Sequence, residues 1–124
     1  EIGEIGISSV GLLKGYLNND KLYKKCFIGK YFLTGDLGYK DRNGTFYYMD
    51  RKKDLIIRAG ENVSPLTIEN TLMGHPAPAE VAAVGILDER VGEKVKVCIV
   101  LREGAEVSEQ ELKDFCRKIL TNLI

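Results

Sequence analysis

Two residues stand out by type and placing, Asp36 and Arg51. Asp36 follows a glycine at the end of the run Tyr31-Phe32-Leu33-Thr34-Gly35. A carboxylate held there can accept hydrogen bonds from two vicinal hydroxyls, as on a ribose; spacing alone favours the plainer reading, an Asp turn that caps its own backbone. Arg51 lies fifteen positions later, across a hairpin sequence that would fold it back towards Asp36. Its guanidinium would add donors to a hydroxyl or phosphate oxygen, or it is a surface cation beside Asp50 and Asp54. Gly60, inside Arg58–Asn62, permits close approach of the backbone to a ligand, or simply makes a turn.

Covalent and metal chemistry find no candidates. Cys26, Cys98 and Cys116 are odd in number and widely spaced, without a CxxC pair, and His75 is the one histidine. A zinc site is therefore not expected, and the thiols read as free in a reducing cytoplasm. One histidine at a helix stop cannot complete a Ser/His/Asp set. Neither GxGxxG, a Walker loop nor GxSxG occurs.

The elements that must position these residues are read from pattern. Ile2, Ile5 and Ile7 alternate with small and polar residues as a short strand. Lys21 to Lys25 reads as a solvated charge run after a turn at Asn18-Asn19-Asp20. Tyr31-Phe32-Leu33 is a strand ending at Thr34-Gly35-Asp36. Asn43-Gly44 marks a hairpin because such turns need positive φ, and Thr45 to Met49 is the return strand. The charged Asp50–Asp54 is costly to bury and reads as an exposed joint. Leu55-Ile56-Ile57 is a strand and Arg58–Asn62 a turn. Ser64-Pro65 opens a helix, the Ser capping and the Pro tolerated at the first position; the helix stops at Gly74-His75-Pro76. Glu80 to Leu87 is a strand, Asp88–Glu93 a polar loop, and Lys94 to Arg102 a half-buried strand with Cys98 as small packing. Ser108-Glu109-Gln110-Glu111 is a capping box. It opens a helix with Leu112, Phe115, Cys116, Ile119, Leu120 and Leu123 on one stripe. The second half thus reads β, α, β, β, α.

The chain has 124 residues, 18 basic and 18 acidic. A neutral, interleaved charge pattern argues against a nucleic-acid-binding module and a polybasic membrane patch. No apolar run approaches a transmembrane segment. The start at Glu1-Ile2-Gly3 without Met, and the stop at Leu123-Ile124, suggest a fragment of a longer protein.

YFLTGDLGYKDRNGTFYYMDRKKDLIIRAGENVSPLTIE resembles the signature region of the adenylate-forming enzymes, and among them the acyl-CoA synthetases. The likeness continues through HPAPAEVAAVGILDERVGEKVKVCIVLREG and SEQELKDFCRKIL and is looser before Tyr31. The resemblance implies two steps. A carboxylic acid and ATP, with Mg2+, give an acyl-adenylate and pyrophosphate; the thiol of coenzyme A then displaces AMP. It implies that Asp36 binds the ribose hydroxyls, that Arg51 also contacts the ribose, and that Lys53 is the hinge for rotation of the C-terminal domain. Ala59, Gly60 and Glu61 correspond to the loop that approaches the pantetheine arm of coenzyme A, and Asp88–Glu93 to a loop near its nucleotide end. The resemblance assigns no catalytic residue and no metal ligand here. The adenylation lysine, which stabilises charge on the carboxylate and α-phosphate, is expected beyond Ile124, and the phosphate loop upstream. Thr67 stands where the family often has Glu, and Asn62 where some short- and medium-chain members have Arg, which leaves the acid open.

The expected fold is α+β. Residues 1–50 are expected to be the end of the large N-terminal AMP-binding domain, closing in a β-hairpin. Residues 51–124 are expected to be a small sheet-plus-helices C-terminal domain, truncated. The expected parent is a cytoplasmic acyl-CoA synthetase for a fatty or aryl acid, fatty first, and the chain alone is expected to be inactive in adenylation. Two alternatives stay open: an adenylation domain that loads a carrier-protein thiol, and a non-catalytic nucleotide-binding or interaction module.

Overall fold

The computed structural model describes residues 1–120, and its backbone divides into two compact units, Glu1–Lys53 and Asp54–Ile124. The fold is α+β, as expected.

In the first unit the alternating isoleucines form β1 (Ile2–Ile7). A short helix α1 (Asp20–Lys25) follows, then β2 (Phe27–Ile28), β3 (Tyr31–Lys40) and β4 (Phe46–Arg51). The lysine run is therefore helical. The Asn19 side chain accepts from Leu22 N–H as the cap, and Tyr23 stacks edge-on against Tyr16 and Phe27, contacts that charge pattern does not reveal. The central strand is β3, which pairs antiparallel with β1, β2 and β4. It does not end at Thr34–Asp36. Gly35, at φ +78°, lies where β3 bulges: its pairing with β1 passes from Leu33–Gly6 to Leu37–Glu4, and its pairing with β4 begins at Asp36–Arg51. The Asn43-Gly44 hairpin forms, with Gly44 at φ +90° and Asp41 Oδ1 accepting from the Asn43 and Thr45 amides. The charged stretch is not uniformly exposed. Asp50 is buried in β4, where its carboxylate accepts from Arg51 N–H, whereas Arg51 and the 3-10 turn Lys52–Asp54 are exposed.

The second unit begins with β5 (Ile56–Arg58) and β6 (Glu61–Val63), joined by Ala59-Gly60 at φ +52° and +83°. The turn is thus two residues long, and the order is β, β, α, β, β, α, one strand more than pattern suggests. Three-residue strands are too short to show a period. Helix α2 (Pro65–Met73) starts as read, Ser64 Oγ accepting from Thr67 N–H. Strands β7 (Pro78–Asp88) and β8 (Gly92–Leu101) form a long antiparallel hairpin, and the sheet order is β6-β5-β8-β7. Helix α3 (Glu109–Leu120) opens with Ser108 Oγ accepting from Glu111 N–H.

Burial of apolar side chains drives this unit together. Ile68 and Leu72 of α2, Ala83 of β7, and Leu112 and Leu120 of α3 make the core, with Val95, Val97 and Ile99 of β8 against it. Cys116 packs there too, and burial raises its thiol pKa. Cys98 does not pack; it lies on the opposite, exposed face of β8, and Ile119 is likewise exposed. Leu123 lies outside the described residues. His75 is a helix-stop residue: Nδ1 accepts from Ala77 N–H and the ring meets Phe115 edge-on. No described helix is long and apolar enough to cross a membrane.

Candidate functional site

Register places Asp36 of β3 directly opposite Arg51 of β4. Directly opposed residues on antiparallel strands project their side chains to the same face. Arg51 Nε accordingly lies 3.2 Å from Asp36 Oδ1, with side chains 49% and 32% exposed. Both groups are open enough to meet a ligand and close enough to grip one sugar ring. A half-exposed pair of this kind adds little to stability, at most about 1 kcal/mol.

The segment behind Asp36 is tied down by hydrogen bonds. Thr34 Oγ1 donates to Ile5 O at 2.8 Å and accepts from Asp36 N–H at 3.1 Å. Gly35 N–H donates to Glu4 Oε1 at 3.0 Å, and the other Glu4 oxygen pairs with Lys52 Nζ at 2.9 Å. Arg51 Nη2 reaches Thr34 O at 3.5 Å, and a Cβ on Gly35 would come within 3.4 Å of that nitrogen. Glu4 is thus part of the site although it precedes Gly35 by 31 residues, and no local signal marks it. An open cavity of about 390 Å³, lined by Glu4, Tyr16, Thr34, Gly35 and Lys52 among others, adjoins this segment.

Lys53 is exposed in the 3-10 turn, the last residue of the first unit. Ala59, Gly60 and Glu61 are exposed at the β5–β6 turn of the second unit. The open turn leaves its backbone free to line a ligand. No set of three or more His, Cys, Asp or Glu side chains among the described residues is placed to hold a metal ion.

Residues 67–124 match the family model of the AMP-binding enzyme C-terminal domain. The o-succinylbenzoate CoA synthetase of Bacillus subtilis, solved with its acyl-adenylate intermediate, superposes with a TM-score of 0.86 at 38% identity, over 95% of this chain and 24% of that one. The chain belongs to the adenylate-forming, AMP-binding enzymes. The same Bacillus adenylate-forming enzyme has also been solved with ATP and a magnesium ion, at a TM-score of 0.83. Among curated relatives, the oxalate–CoA ligase of Arabidopsis thaliana is 39% identical over 118 residues, 95% of this chain and 23% of that ligase. The long-chain-fatty-acid–CoA ligase of Mycobacterium tuberculosis is 43% identical over 114 residues, 92% of this chain and 22% of that ligase. The chain therefore spans less than a quarter of the length of these adenylate-forming relatives. A two-carbon diacid and a long aliphatic acid are served at similar identity, so likeness over this region does not specify the acid.

Proposed function

We propose that this chain is part of an ATP-dependent acid–thiol ligase, in which Asp36 and Arg51 hold the ribose of ATP and of the acyl-adenylate. The observation that carries the reading is the Asp36–Arg51 pair, 3.2 Å apart, ion-paired yet reachable from solvent. Asp36 accepts from the two ribose hydroxyls, and Arg51 donates to an oxygen of the same sugar while keeping the carboxylate aimed. Magnesium accompanies ATP. Lys53 is the pivot between the adenylating and thiol-transfer arrangements; an exposed charged turn can change its dihedrals at low packing cost. Ala59, Gly60 and Glu61 line the path of the pantetheine arm, where coenzyme A thiol displaces AMP. A fatty acid is the acyl donor we put first, in keeping with the mycobacterial relative. The free cysteines fit a reducing compartment, the cytoplasm.

The test is ATP–pyrophosphate exchange by the whole ligase that carries this chain. Charge-assisted hydrogen bonds lost in Asp36→Ala are worth about 1.5–3 kcal/mol, so KM for ATP should rise roughly ten- to hundredfold. An unchanged KM in a folded variant would overturn the ribose assignment. The chain by itself should show no exchange, since the phosphate loop and the adenylation lysine are expected outside it.

A further inference from the structure

The turn assigned to coenzyme A is held in part by a carboxylate from outside it, that of Glu93 on β8. Strand β5 joins β8 by a single residue pair, Arg58 with Gly92. The rest of the attachment comes from other groups. Ala59 N–H donates to Val91 O at 2.7 Å, and Ile57 N–H donates to Glu93 Oε2 at 2.6 Å. An ionised acceptor makes the second of these a strong hydrogen bond.

The surrounding residues leave room for this contact. A Cβ on Gly85 would lie 2.7 Å from Glu93 Oε1, so only glycine there lets the carboxylate rest over β7. A Cβ on Gly92 would have Ile57 O at 3.3 Å, so Gly92 allows β5 to come close. The loop that presents Val91 is itself stiffened. Asp88 Oδ1 accepts from the Arg90 and Val91 amides at 3.0 and 3.2 Å, and its other oxygen pairs with Lys94. Side-chain packing does less at this point: Ile56 is buried, but Ile57 is 55% exposed.

We propose that Glu93 is a positioning residue for the Ala59–Gly60 turn in the thiol-transfer step, acting through the Ile57 amide and touching no substrate itself. The proposal rests on the assignment of that turn to coenzyme A. Without the carboxylate, one ladder pair and the Ala59 bond are left to tie the β5–β6 hairpin to β8 and the loop before it, and the turn loosens where the pantetheine arm must pass.

The experiment compares KM for coenzyme A in thioester formation with KM for ATP in pyrophosphate exchange, in the whole ligase. Glu93→Ala should raise the first about tenfold and move the second by less than about twofold, a split that general destabilisation would not produce. Glu93→Gln retains an oxygen acceptor and should stay near the parent. Gly85→Ala, which puts a methyl where the carboxylate lies, should reproduce Glu93→Ala. On this chain, the Ile57 amide should exchange faster in Glu93→Ala and Gly85→Ala but not in Glu93→Gln. An unchanged KM for coenzyme A in Glu93→Ala, an equal rise in both KM values, or Glu93→Gln as impaired as Glu93→Ala would each overturn the proposal. Gly60→Leu separates the two levels. Impairment there with a normal Glu93→Ala enzyme removes only the role of Glu93; a normal Gly60→Leu enzyme removes the coenzyme A assignment and the proposal with it.

Discussion

Replacing Thr34 by valine tests whether the ribose-side carboxylate is held by its own backbone environment. The hydroxyl donates to Ile5 O at 2.8 Å and accepts from Asp36 N–H at 3.1 Å, both in partly buried surroundings. Valine fills nearly the same volume and makes neither bond. Each net hydrogen bond is worth about 1 kcal/mol, and a stranded partner costs about 1–3 kcal/mol when fully buried. Partial burial places the pair near the lower end, at about 2 kcal/mol, or roughly thirtyfold in the local opening equilibrium. The assay is amide hydrogen exchange at Asp36 and Leu37 by NMR, comparing the parent with Thr34→Val and Thr34→Ser. Serine keeps both bonds and should exchange like the parent. Exchange at Asp36 within about twofold of the parent in Thr34→Val would refute the reasoning, because the hydroxyl would then add little beyond the strand pairing.

Other outcomes follow from the second unit. Leu72 is 3% exposed and sits among Ile68, Ala83, Leu112 and Leu120, so Leu72→Ala should cost about 2–5 kcal/mol in urea unfolding followed by the helical signal of that unit. The hydrogen bond from Lys94, and after it the Arg90 amide, hold the Asp88 carboxyl below its ordinary value of 3.8. A depressed folded pKa means that this contribution is present above the ordinary value and is lost as pH falls through the lower folded one. The Arg90 and Val91 amides should therefore gain exchange protection with pH across that acid window in the parent and not in Asp88→Asn. Cys98 is exposed, whereas burial raises the Cys116 pKa and lowers its thiolate fraction. Timed alkylation with mass spectrometry should thus label Cys98 before Cys116.

Several features were legible because they are local. The Asn43-Gly44 turn needs positive φ, Ser64-Pro65 satisfies the first turn of α2, and Ser108 does the same for α3. The alternation of Val95, Val97 and Ile99 against Lys94, Lys96 and Cys98 told which face of β8 is covered. It could not tell that Cys98 is exposed, because period 2 separates faces without saying whether both are buried. The site residues Asp36 and Arg51 came from the ordered motif and its resemblance to a family; spacing alone put a self-capping turn first for Asp36 and left Arg51 open to being a surface cation.

Register then decided what spacing could not, setting Asp36 opposite Arg51. Asp50, one position earlier, is buried despite its charge, because a strand alternates its side chains between faces whatever their polarity. Glu4 fell within a strand pattern and Glu93 within a polar loop, yet each binds a backbone amide 31 or 36 residues away. Amino-acid sequence by itself determined where this chain turns, caps and alternates, since those depend on neighbouring φ, ψ and side chains. Only tertiary structure decided which carboxylates are partnered, since that depends on strand pairings that bring distant segments within 3 Å or so of each other.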